Sequence, residues 1–192
     1  MADGFIRWYR EAGAESIFRD QVAVFEQHGI TLAHPGTGVI TVINVDGDDI
    51  PIDFEALNLI IDLRLPSVSI NWWISADTNV VSSYTHEPLG CEIQTFWVDG
   101  LTAEEARAFN SAVMSTMSRV PTPTRALVCD HQGTTDADDW DSAILYGGAK
   151  IPGVVDPLLL SPEISRRILS NSTRLCGTVT EDSLMRVTAL ST

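Results

Sequence analysis

The stretch "SVSINWWIS", residues 67 to 75, alternates without a break: Val68, Ile70, Trp72 and Ile74 fall on one side, and Ser67, Ser69, Asn71, Trp73 and Ser75 on the other. A side-chain period of two belongs to a strand with one buried face, so this stretch commits its surroundings to a sheet with a covered side and a more polar side. "TNVVSSYTH" and "CEIQTFWVDG" follow across short turn-rich connections, which suit an antiparallel meander. In the second of these, Ile93, Thr95 and Trp97 share one face while Glu92, Gln94 and Phe96 share the other. Trp73 and Phe96 are therefore expected on faces covered by a helix or by a partner.

Immediately after the meander, Thr102 and Glu105 form a T-x-x-E capping box ahead of a stripe of Ala106, Phe109, Val113 and Met117. This pattern predicts a helix from about 102 to 118. "PTPT" stops it, and "RALVCD" reads as a short apolar strand. The order β-β-β-α-β predicts an α+β fold, an antiparallel sheet with helices packed on one face. Upstream, Ala14, Phe18, Val22 and Phe25 make one stripe of an amphipathic helix that Gly29 would cap, and "GVITVINVDGDDIPIDF" reads as two strands, roughly 38 to 45 and 50 to 54. "EALNLIIDLRL" fits a short helix or a strand. Downstream, Ser161-Pro162-Glu163 predicts a helix near 162 to 170, and "VVDPLLLSP" reads as a loop packed on the core. No repeat, low-complexity tract or heptad pattern breaks the 192 residues, so residues 1–192 are expected to form a single domain.

Charge is the unusual feature. Twelve Lys and Arg against 26 Asp and Glu give a formal net charge of −14. Such a surface repels nucleic acid and anionic lipid, whose binding depends on cations that neutralise phosphates, and it speeds encounter with a cationic protein. The three cysteines, Cys91, Cys129 and Cys176, are far apart and form no C-x-x-C pair, which argues for free buried thiols rather than a disulfide or zinc framework. With no apolar leader and no run long enough for a membrane helix, the expected location is cytoplasmic.

Catalytic and cofactor motifs are missing. Calcium loops starting at Asp46 or Asp136 fail at the required Gly and Glu positions, and "HPGTGVITV" lacks the third glycine of a dinucleotide loop. Cys129, Asp130 and His131 are a tempting trio, but successive strand residues point to alternate faces. Were the chain an enzyme, the acid/base pair to look for first is His131 with Asp130, and next Cys91 beside His86 and Glu87. No metal and no cofactor is expected.

What remains is "DHQGTTDADDWD", residues 130 to 141, with five aspartates and no basic residue. A tryptophan inside a rim of carboxylates suits an interface hot spot meeting Arg or Lys, while the same Trp140 could equally fold back into the core. Together with "GCEIQTFWVDGLTAEEA", this acidic character resembles in type the immunity proteins that bacteria make against polymorphic toxins. The resemblance implies a non-enzymatic inhibitor whose partner is a basic toxin domain, and a monomer or weak homo-oligomer. Its first candidate contacts are Asp136, Asp138, Asp139, Trp140 and Asp141, and its second are Asp46, Asp48 and Asp49. The alternative is a small enzyme or ligand-binding domain with a pocket on the sheet near Trp73, Tyr84 and Phe96. A structural subunit of an obligate oligomer is a third option.

Overall fold

The computed structural model describes residues 3–13, 16–87, 89–120 and 123–190. In chain order the elements are β1 (Phe5–Glu11), α1 (Phe18–Gln27), β2 (Ile40–Ile43), β3 (Asp49–Ile52), α2 (Phe54–Asp62), β4 (Ser67–Trp73), β5 (Asn79–Glu87), β6 (Cys91–Trp97), α3 (Ala103–Arg119), β7 (Thr124–Asp130), α4 (Asp139–Ile144), β8 (Leu158–Leu160), α5 (Pro162–Ser170), β9 (Leu175–Val179) and β10 (Met185–Ala189). All the strands join one antiparallel sheet in the order β3-β2-β4-β5-β6-β1-β7-β8-β10-β9. The fold is α+β, and the expected β-β-β-α-β segment is β4 to β7.

The alternation of β4 separates the two faces. Val68, Ile70 and Trp72 join Ile6 and Trp8 of β1 in one hydrophobic core, which α1 covers with Phe18, Val22 and Phe25, α2 with Leu57 and Ile61, and α3 with Phe109 and Val113. Trp72 is tied to Ser82 by its indole N–H, and Phe25 packs against both Trp72 and Phe109. The antiparallel α+β class is as the patterning predicts, with three helices on this face, while α4 and α5 pack on the other. The opposite face carries a second, smaller core of Phe5, Tyr9, Ile93, Ala126 and Val128, which α4 covers with Trp140 and Ile144 and α5 with Ile164 and Ile168. That second core takes no residue from β2 to β5, so α4 and α5 leave this face uncovered over four of the ten strands.

Local expectations are met where a physical signal was strong. The Thr102–Glu105 box forms with both of its reciprocal hydrogen bonds, α5 starts with Pro162 in its first turn, and "EALNLIIDLRL" resolves to α2, capped by Asp53. Gly29, just past α1, takes φ +76, a left-handed conformation that favours glycine. Of the stripe predicted for α1, Ala14 lies outside the described residues.

Three differences stand out. β1 is a central strand that the patterning missed, since "FIRWYRE" is apolar on both sides and its arginines are buried by pairing. "VVDPLLLSP" is not simply a loop: Leu158–Leu160 pair with β7 and β10, and burial on both faces leaves no alternation to read. The hairpin β9–β10 at the sheet edge lacked a clear signal and follows from pairing with β8.

Candidate partner-binding face

The acidic segment is built as a loop held by its own hydrogen bonds. Asp130, at the end of β7, accepts from the Gln132 and Thr135 backbone amides and from the Thr134 and Thr135 hydroxyls, at 2.7 to 3.3 Å. Burial alone would push its carboxyl up, but the hydrogen bonds from Thr134 and Thr135 outweigh it and hold the group below the usual carboxylate value. The Thr135 hydroxyl also accepts from the Trp140 indole N–H at 2.9 Å.

Trp140 is fully buried in the second core. The idea of Trp140 as an exposed contact is therefore corrected: it anchors the loop from beneath. Asp141 is also largely used internally. Its carboxylate accepts from Arg7 Nη2 at 3.0 Å and from the Tyr9 hydroxyl at 2.7 Å. Arg7 is 7% exposed, and its Nη1 lies 3.1 Å from Asp138. The Asp138 side chain is mostly in solvent, so that pair contributes little, and Asp136, Asp138 and Asp139 project outward.

The second acidic cluster sits at the β2–β3 turn, where Asn44 accepts from the Asp46 and Asp48 amides and Gly47 takes φ +86. Asp49 accepts from Asn71 Nδ2 at 2.8 Å, which places its carboxylate on the uncovered sheet face. Asn71 also donates to Thr41 and accepts from Asn79, which orders this polar surface.

One row of paired residues connects the two clusters. Asp49 opposes Ile43, Ile43 opposes Ser69, Ser69 opposes Ser83, Ser83 opposes Thr95, and Thr95 opposes Arg7, the residue that holds Asp141. The row crosses five interstrand steps, a span of about 24 Å. Between its ends lie half-exposed Ile43, Ser69 and Ser83, flanked by Thr41, Val81 and Thr85. The result is a mostly uncharged strip with carboxylates at both ends, half-exposed from Ile43 to Ser83 and buried at Thr95.

No family model, curated protein or solved structure matches this chain.

The other sequence-predicted sites are dispersed. Tyr84 and Phe96 are buried under the helices, whereas Trp73 lies on the opposite face against the His34 ring, so the three do not line one pocket. Cys91 and Glu87 pair on one face, while His86 pairs with Glu92 on the other, which separates Cys91 from His86. Burial pushes the Cys91 thiol up to about 11, so it is protonated at neutral pH. Cys129 faces α3, where its thiol meets Asn110, and Asp130 turns to its own loop instead of to His131. Burial holds His131 below the usual imidazole value, against a smaller opposing pull from Asp130. Among the described residues, no three His, Cys, Asp or Glu side chains are placed to hold a metal ion, and no helix is long and apolar enough to cross a membrane.

Sequence reasoning found both acidic clusters but missed Arg7 and the Ser69–Ser83–Thr95 row. An arginine inside an apolar run was the available signal, because a buried guanidinium requires a carboxylate partner.

Proposed function

We propose that the protein is a non-enzymatic binding protein of the immunity type, which blocks a basic toxin or enzyme domain by docking it across the uncovered sheet face. The observation that carries this reading is the row from Asp49 to Arg7, which runs between two outward-facing acidic clusters, half-exposed from Ile43 to Ser83 and buried at Thr95 and Arg7 beneath the second cluster. Its span of about 24 Å is close to the edge of a square patch of about 800 Å², the usual share of one partner in a stable complex. The carboxylates at each end meet Arg or Lys of the partner, and the Ser and Thr between them are small enough to let its surface approach closely. Because Asp130, Trp140 and Arg7 hold the acidic loop, little ordering is required on binding.

The test is affinity capture from a lysate of the protein's own source. Wild type is compared with D136K/D138K/D139K, with D46K/D48K/D49K, and with Ser83→Trp at the centre of the strip. Wild type should recover one basic protein, and each variant should recover much less of it. Equal recovery of that protein by all three variants removes the face from the interface. An inhibitory role requires, in addition, that the captured protein lose its activity when mixed with wild type.

A further inference from the structure

A different surface carries a second binding site. On the helix-covered face, where β5, β6 and β1 end, His86, Glu92 and Arg10 form one paired row. Above it, Ser16 and Arg19 at the start of α1, Asn58 and Asp62 of α2, and Arg64 close a cavity of about 420 Å³. That volume falls within the usual range for small-molecule sites. Three of the chain's twelve cationic side chains line this one cavity, in a protein of net charge −14.

The pairing within the cavity is incomplete. Arg10 is 2% exposed, stacks over the Trp8 ring at 4.9 Å, and donates through Nε to Glu92 at 2.9 Å. Its Nη1 is buried without a hydrogen-bond partner among the described residues. Such orphaned donors are rare because leaving one dry is costly, and a guanidinium fork is shaped to hold a second oxygen pair. Arg64 approaches the same Glu92 at 3.9 Å and donates to the Gly13 carbonyl. Its backbone is held at φ +52, an uncommon conformation for a residue other than glycine, asparagine or aspartate, and its side chain lines the cavity. Glu92 thus serves two arginines with one carboxylate, while Asp62 accepts from Asn58 at the rim.

We propose that this cavity binds a small molecule bearing an oxyanion group, a carboxylate or a phosphate. The oxyanion accepts from the accessible Arg64 guanidinium, with the buried, unpartnered Arg10 Nη1 as the second donor once a small shift at the cavity floor exposes it, and hydroxyl or amino groups on the same molecule donate to Glu92 and Asp62. The site is independent of the acidic strip, because its lining residues of β1, β5 and β6 point to the other side of the sheet.

The arginine Nε–H resonances of the full chain report occupancy directly. Inorganic phosphate and malonate are titrated separately at constant ionic strength, balanced with sodium chloride. The Arg10 and Arg64 resonances should shift saturably with at least one probe, with a dissociation constant in the millimolar range or below, while Arg186 on the far hairpin stays unmoved. Saturation by phosphate alone assigns a phosphate ester, and by malonate alone a carboxylic acid. Arg64→Gln, which leaves the buried Arg10–Glu92 pair in place, should weaken binding by about tenfold. No saturation up to about 50 mM of either probe, well above a millimolar dissociation constant, overturns the proposal. So does an Arg64→Gln variant that folds as wild type and binds equally well.

Discussion

Asp130 shows how one residue decides whether a loop is a surface or a site. Its carboxylate satisfies four donors that would otherwise be stranded where β7 ends. Asp130→Asn keeps the shape but turns an amide toward donors, and should lower stability at pH 7 by about 1.5 to 3 kcal/mol, the range for hydrogen bonds to a charged group. Because the folded group titrates below its unfolded value of about 3.9, its contribution is complete above that pH and is lost as pH falls through the folded value. Urea unfolding at pH 7 and near pH 3 should therefore show the gap between wild type and Asp130→Asn narrowing in acid; a gap independent of pH contradicts the assignment. Glu92 offers the complementary case. It is 5% exposed against an Arg10 that is 2% exposed, so Glu92→Gln strands a buried cation and should cost about 3 to 5 kcal/mol in the same assay. A loss below about 1 kcal/mol would mean that water already screens the pair.

Among the elements, legibility in the sequence followed the number of environments that each one faces. β4 has one covered side, so its period of two was readable, and α3 was readable because its cap and stripe are local. Thr102→Ala removes the hydroxyl that accepts from Glu105, and should lower the unfolding free energy by about 1 kcal/mol without changing the fold, as read by thermal melting and circular dichroism. β1 and β8 are enclosed on both faces, which erases alternation, and they were missed for that reason. Trp140 was left open between surface and core because its position depends on Thr135 and on contacts with other elements. The acidic clusters were visible as composition. Their arrangement on one face was not, since it requires the register from β3 to β1, and strand order is a property of pairing between distant segments.

At the scale of the whole molecule, the two surfaces divide the chain's few cations from its excess of acid. Arg10 lies at the floor of the cavity, with Arg64 and the Glu55-paired Arg19 at its rim, whereas Arg7 is consumed in fixing Asp141. The uncovered strip is left with carboxylates at both ends, and the long-range field there is set by the net charge of −14. Reversing Asp136, Asp138 and Asp139 to Lys adds two units at each position and brings the formal charge to −8. These side chains are exposed, but Asp138 faces the Arg7 guanidinium and Asp136 accepts from the Asp138 amide, so the triple reversal should cost about 1 kcal/mol of stability. Association with a basic partner should respond far more. The wild-type on-rate should fall steeply between low and physiological salt, because screening shortens the reach of the field to about 8 Å. The triple variant should start slower and show a shallower salt slope, as measured by stopped-flow mixing with the captured partner. Were the two proteins to share one slope, the field steering the encounter would have to come from elsewhere on the surface. Reversal of Asp46, Asp48 and Asp49 is then the informative comparison, since that cluster lies at the other end of the same strip and the two ends should contribute separately.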